Sequence, residues 1–238
     1  MKNIACWLAA PDIVFIEIAA DLGYGTLVMD QEHGTFDLKD FDRLIPFARR
    51  LGLDVLVKLA GPLAESVQQA LDFGATGVVI PHIGSVAHAR SVCAAAKYPP
   101  IGTRSYAGAR TVRYGAPSLT YFEDDNRDTR CFAMVETAES FLDVEEILAL
   151  PTVDGIFVGP SDLSLSRGRG RYGFTDADRS DLEAVAAACK AAGKPWIMPT
   201  WRVEEKAFAD LNGASVTVIA EQQGAMAMGL DETLKRML

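Results

Sequence analysis

Apolar residues fall along this chain in two patterns. Short β-branched runs read as buried strands, and between them lie longer stretches whose apolar positions recur at helical spacing. Strands are expected near 4–8, 26–30, 54–59, 77–81, 131–136, 154–159, 195–199 and 215–220. Helices are expected over 12–22, 38–51, 63–73, 85–97, 138–149, 177–192, 202–212 and 225–237. Asp37, Ser85, Thr137 and Asp176 stand where a side-chain oxygen can accept the free amides of a first helical turn. One phrase recurs: a helical stretch, a glycine, then a strand. It occurs at Gly23, Gly52, Gly74, Gly193 and Gly213, and glycine accepts the left-handed backbone that closes a helix.

Eight strand–helix units in 238 residues predict an α/β fold, a closed (β/α)8 barrel of the TIM type, spanning 1–238 as one domain. No Pro/Ser-rich or charged linker divides it. An open doubly wound sheet is the competing pattern. It usually carries a Gly-rich phosphate loop after its first strand, where this chain has Ala9-Ala10-Pro11-Asp12. The stretch from Pro99 to Arg130 reads as one long irregular connection between the fourth and fifth strands. Connections of that length in compact barrels are expected to serve function.

The net charge is −9, with 23 basic and 32 acidic side chains, and no basic aromatic stripe is present, so nucleic acid is excluded as a partner. Cys6, Cys93, Cys131 and Cys189 lie inside apolar runs with no metal-binding spacing and read as buried free thiols of a reducing compartment. Lys2 precedes the apolar Ile4-Ala5-Cys6-Trp7-Leu8, but Pro11, Asp12 and Glu17 interrupt that run. Neither a signal peptide nor a membrane span is expected, and the protein reads as cytoplasmic.

Three polar clusters begin where apolar runs stop: Asp30-Gln31-Glu32-His33-Gly34, Glu136-Thr137, and Gly159-Pro160-Ser161-Asp162. In a parallel barrel, strand ends converge on the catalytic face. Glu136 and Asp162 there would repel one another unless a cation lies between them, and a hard divalent ion accepts one or two carboxylates plus water and substrate oxygens. Their other use is to cap the following helices, although Thr137 is a better cap than Glu136. His33 is the candidate general base, with Asp30 or Glu32 as the carboxylate that orients it; Asp30 is better placed at the strand end. Packing against the next helix is its alternative role. His82 faces the same rim without a local acidic partner, and His88 reads as a surface residue. Lys58 ends its strand at the pocket mouth, as a carboxylate clamp or as a Schiff-base nucleophile. Arg104, in the long connection, either reaches inward to bind an anion or is solvated. The amides of Gly159, Pro160, Ser161 and Asp162, less the proline's, offer an anion seat at a helix start.

These segments, in this order, resemble the HpcH/HpaI aldolases, metal-dependent pyruvate aldolases of the phosphoenolpyruvate-binding barrel superfamily. Besides the three clusters, the resemblance is carried by Phe73-Gly74-Ala75-Thr76-Gly77-Val78-Val79-Ile80-Pro81 and Tyr98-Pro99-Pro100-Ile101-Gly102-Thr103-Arg104. It implies a barrel with a domain-swapped C-terminal helix and a trimeric or hexameric homo-oligomer. It implies Mg²⁺, Mn²⁺ or Co²⁺ on Glu136 and Asp162, acid/base work by His33 with Asp30, and a 2-oxo acid such as pyruvate with an aldehyde as small-molecule substrates. Related acyl-CoA ester lyases, a Schiff-base route through Lys58 and a non-catalytic oxo-acid-binding barrel are its alternatives. Two departures stand out. The family usually carries arginine at the position of Lys58, and a Val-Gly-x-Asp phrase where this chain has Ile219-Ala220-Glu221-Gln222. The first bears on rate, the second on substrate choice.

Overall fold

The computed structural model describes residues 3–238, so Met1 and the charged Lys2 lie outside the described residues. Eight parallel strands close on themselves in sequence order. They are β1 (Ile4–Leu8), β2 (Thr26–Asp30), β3 (Asp54–Lys58), β4 (Gly77–Ile80), β5 (Arg130–Val135), β6 (Gly155–Val158), β7 (Trp196–Pro199) and β8 (Val216–Glu221). Each of the first seven is followed by helix that returns the chain to the other end of the barrel, and β8 by the exposed helix Gln222–Met237. The (β/α)8 expectation holds, and the five glycines that end helices all take positive φ, between 65° and 98°.

Three of the expected caps act as such: Asp37, Ser85 and Thr137 accept first-turn amides. The fourth is Thr175 rather than Asp176, because Thr175 and Asp178 close a reciprocal capping box one residue earlier. The helix expected over 138–149 is two short ones, Ala138–Leu142 and Val144–Leu148, which meet at Asp143.

Side-chain alternation sorts the strands into two cores. The larger lies between the sheet and the outer helices. The smaller fills the barrel and is made by Ala5, Val28, Leu56, Val79, Phe132, Met134, Phe157, Ile197 and Val218. Its bulk is accommodated by glycine on neighbouring strands. A Cβ at Gly155 would overlap the Pro195 carbonyl oxygen and come 2.8 Å from a ring carbon of Phe132. The four cysteines are buried and free, and burial pushes the thiols of Cys6 and Cys189 up to about 12. Among the described residues no helix is long and apolar enough to cross a membrane.

The stretch from Pro99 to Arg130 differs from expectation. It contains a helix, Tyr121–Asp128, and it follows the descending helix Val86–Cys93, so it runs along the end of the barrel where strands begin. Arg104 goes with it. Its guanidinium is buried, bonded to Asp72 and Asp125 at 2.9 Å each and stacked 4.7 Å from the centre of the Tyr98 ring. It does not reach inward to bind an anion; it ties this connection to the helix Ala64–Asp72.

Replacing Gly155 with Ala is expected to destabilise the barrel by about 1–3 kcal/mol, the usual cost of overpacking. An unchanged midpoint in urea unfolding would show that Phe132 and β7 yield freely.

Candidate active site

Inward positions on a strand recur every second residue, so the residues two beyond the core layer must line the mouth of the barrel. From Ala5, Val28, Leu56, Phe157 and Ile197 this step reaches Trp7, Asp30, Lys58, Gly159 and Pro199, and from Met134 it reaches Glu136. Asp30 and Lys58 are also paired directly across β2 and β3. On β8 the register slips, so that Ala5 pairs with Val218 but Cys6 with Ala220. The extra residue turns Glu221 toward the mouth beside Trp7, as bulges do at barrel rims. A cavity there is lined by Trp7, His33, Lys58, Ser161, Asp162 and Glu221, among others.

Asp30 is almost fully buried, and its contacts are structural. Oδ2 accepts the Trp7 indole N–H at 3.0 Å, and Oδ1 accepts the backbone amides of Glu32 and His33 at 3.0 and 3.1 Å. It therefore shapes the loop carrying His33 and does not meet the imidazole. The carboxylate nearest that ring is Glu32, with Oε1 at 3.6 Å from His33 Nε2. Of the two carboxylates expected to orient the base, Asp30 and Glu32, it is Glu32 that lies beside the ring. The His33 side chain is 71% exposed at the cavity mouth.

Lys58 is 3% exposed and sits among negative groups. Its ammonium pairs with Glu32, lies 3.7 Å from Asp30 Oδ1, and stands 5.9 Å from the centre of the Trp7 ring. These contacts are those of a fixed positive charge. Burial works to raise the Glu32 pKa, but hydrogen bonds from Lys58 and His82 outweigh it and hold the carboxyl below its usual range.

His82 was given no acidic partner by the sequence, yet it has two. Its Nε2 is 2.5 Å from Glu32 Oε1, and its backbone N–H donates to Glu136 Oε1 at 2.6 Å. Its φ of 57° turns the amide toward Glu136, a conformation uncommon outside glycine. Only the position of His82, just past Pro81 at a strand end, hinted at this.

Glu136 is 3% exposed. Burial pushes its carboxyl above the usual range, and the charge of Asp162 pushes the same way, while His82 and Lys58 oppose both without prevailing. The turn at Gly159 lies directly over this carboxylate, since a Cβ there would come 3.0 Å from Glu136 Oε2 and 2.7 Å from Met134 Cε. Pro160 then opens the short helix Pro160–Ser166, whose first turn carries Asp162. The Gly159 amide is occupied by the Val135 carbonyl at 3.0 Å, so the seat at this helix start consists of the Ser161 and Asp162 amides. Glu221 caps the last helix, Gln222–Met237, by accepting the amides of Gln223 and Gly224 at 2.8 and 2.7 Å.

The mouth thus collects Asp30, Glu32, Glu136, Asp162 and Glu221, and among the described residues Lys58 is the one lysine or arginine that lines the cavity. Among the described residues, no three His, Cys, Asp or Glu side chains form a group able to hold a metal ion by themselves.

Comparison with known proteins agrees with this architecture. The model of the HpcH/HpaI aldolase/citrate lyase family matches residues 3–211. A 2-dehydro-3,6-dideoxy-6-sulfogluconate aldolase from Pseudomonas putida is 32% identical over 194 residues, covering 81% of this chain and 75% of that protein. A 4-hydroxy-4-methyl-2-oxoglutarate aldolase, cghB, from Chaetomium globosum is 37% identical over 184 residues, covering 75% of this chain and 68% of that one. The crystal structure of an HpcH/HpaI aldolase from Desulfitobacterium hafniense DCB-2 shares the fold, with a TM-score of 0.92 at 24% identity over 98% of this chain and 92% of that chain. On the extent of these matches, the chain belongs to the HpcH/HpaI aldolase/citrate lyase family.

Proposed function

We propose that this protein is a divalent-metal-dependent aldolase that breaks or forms the carbon–carbon bond of 4-hydroxy-2-oxo acids, with pyruvate and an aldehyde as the other partners. The observation that carries the reading is the buried carboxylate of Glu136, covered by the turn at Gly159 that leads into the short helix bearing Asp162. A buried carboxylate, already hard to ionise, has a second carboxylate near enough to make ionisation harder still. That arrangement opposes its own charge state unless a cation joins the two. The donor set fits Mg²⁺, Mn²⁺ or Co²⁺: two oxygen ligands from the protein, with water and a chelating substrate for the rest. Gly159 adds to the fit, because a side chain there would fill the space against Glu136. When bound, such an ion supplies Lewis-acid stabilisation to the negative charge that develops on the 2-oxo acid.

The chain's own residues do the remaining work. Lys58 offsets the charge of the substrate and of its carboxylate neighbours, and the amides of Ser161 and Asp162 face a carboxylate with partial positive charge. His82 and Lys58 hold Glu32, and Glu32 stands beside the imidazole of His33, which carries protons between the substrate and water. Asp30 fixes the loop from which His33 projects. Lysine at position 58 keeps the positive charge but lacks the two-pronged grip of the arginine usual in the family, so the burden of orientation shifts to the metal ligands.

The helix Gln222–Met237 exposes Met226, Met228, Leu230, Leu234 and Met237, while Gln222 is its one buried residue. An apolar helix that its own barrel leaves uncovered suits exchange onto a second copy in a homo-oligomer. The reading is of a cytoplasmic enzyme with no nucleic acid or membrane partner.

Exchange of the pyruvate C3 protons into deuterated water reports the first proton transfer without any aldehyde. It is expected to stop in chelator and to return with Mg²⁺ or Mn²⁺. His33→Ala should slow it about 10²-fold or more while Mn²⁺ affinity stays within about threefold, and Glu136→Gln should lose both. Full exchange in chelator would remove the metal from the mechanism.

Because protons compete with the ion for a carboxyl whose pKa is raised, Mn²⁺ affinity is expected to weaken on acidification at pH values above the ~4.3 of an ordinary glutamate. Calorimetric titration across a pH series checks this. Affinity that is flat down to that value would show that Glu136 is not a ligand.

Removing residues 222–238 should convert the oligomer to smaller species in sedimentation velocity. An unchanged sedimentation coefficient per subunit mass would place the interface elsewhere.

A further inference from the structure

Past Trp201 the rim changes sign. Ser161 and the half-exposed Trp201 line the catalytic cavity and also a second one beside it, whose polar wall is Arg171, Tyr172, Arg202 and Glu205. Glu205 is buried, and its charge is already answered. Oε2 accepts the backbone amides of Trp201 and Arg202 at 2.6 and 3.0 Å, and Oε1 lies 3.8 Å from Arg202 Nη1. Arg202 is held in place by that contact and by donation from the same Nη1 to the Gly173 carbonyl at 3.1 Å, which leaves the rest of its planar fork uncommitted.

Arg171 belongs to a run in which arginine alternates with glycine, Arg167-Gly168-Arg169-Gly170-Arg171. The first two arginines have partners: Arg167 pairs with Asp181 at 2.9 Å, and Arg169 with Asp178 and Asp181 at 3.1 and 2.6 Å. Arg171 has neither an ion pair nor a side-chain hydrogen bond among the described residues. The run is not slack. Gly168 and Gly170 take φ of 73° and 76°, and Phe174 takes 56°, pinned edge-on against Phe208 with ring centres 5.5 Å apart. A shaped loop therefore places one unpaired, exposed arginine on the wall of a cavity that shares Ser161 and Trp201 with the catalytic one.

We propose that this second cavity is a subsite for a terminal oxyanion (carboxylate, sulfonate or phosphate) on the aldehyde half of the substrate, bound between Arg171 and Arg202. The proposal rests on the aldolase reading and narrows it. The catalytic cavity already carries the carboxylates of Asp162 and Glu221 on its wall, so a charged tail is repelled there and attracted beyond Trp201. Planar guanidinium groups suit such oxyanions because they bond them at two points. An aldehyde too short to pass the indole leaves both arginines uncovered.

The test is the rate of aldol addition of pyruvate to matched aldehydes: succinate semialdehyde against butanal, and phosphorylated against free glyceraldehyde. The protein is expected to favour the charged member of each pair in kcat/KM by about fivefold or more, and added sodium chloride should shrink that preference. Arg171→Gln should lower kcat/KM for the charged aldehydes about fivefold, through KM, and for the neutral ones less than twofold; Arg171→Lys should restore part of the loss. Response to semialdehyde or to phosphate alone would tell which oxyanion the subsite takes. Equal rates within both pairs, or an Arg171→Gln loss shared equally by charged and neutral aldehydes, would overturn the subsite. Proton exchange into pyruvate by the unaltered protein separates the two ideas: exchange without charge preference sinks the subsite alone, and absence of exchange sinks the aldolase reading and the subsite with it.

Discussion

Negative charge gathered in a place poor in water is the constraint around which this barrel mouth is organised. Asp30, Glu32 and Glu136 are withdrawn from solvent, and each is stabilised differently. Asp30 accepts an indole N–H and two backbone amides, Glu32 pairs with Lys58 and meets His82, and Glu136 receives the His82 amide. Asp30 and Glu32 are answered by these partners. Glu136 is answered least, since burial and Asp162 together keep its carboxyl above the usual range. A buried ionised group without enough compensation is costly, and the proposed divalent cation would offset that cost.

Much of this could be read from the amino-acid order. A run such as Thr26-Leu27-Val28-Met29-Asp30 announces both a strand and the point at which its inward face leaves the core. Eight such runs, separated by helices of which five end on glycine, leave little choice but closure. The placement of Asp30, Lys58, Glu136 and Gly159 at one rim then follows from the two-residue period of a strand. Strand ends are well determined locally because the change from apolar to polar is itself the signal.

What could not be read depended on distant parts of the chain. His82 has no acid near it in sequence, and its partners arrive from β2 and β5 only after the barrel closes. Asp30 looked better placed than Glu32 to orient His33 because it ends the strand, but its oxygens are claimed by amides and by Trp7 from another strand. Glu221 reaches the mouth through a slip of register that no periodicity reveals. Arg104 was misplaced for a simpler reason: length was taken as the mark of a functional loop, whereas position in the strand–helix cycle decides which end of a barrel a connection occupies. A connection entered from a helix faces away from the chemistry, however long it is.

That last point bears on how the protein can be handled. Between the helix Val86–Cys93 and β5, the chain displays Tyr114 and Leu119 openly on the side remote from the carboxylates. A tether to a solid support or an inserted peptide tag placed there would leave the reacting end facing the medium. The buried clasp of Arg104 with Asp72 and Asp125 would anchor the base of the graft, so the two ends of the barrel can be re-engineered as separate surfaces.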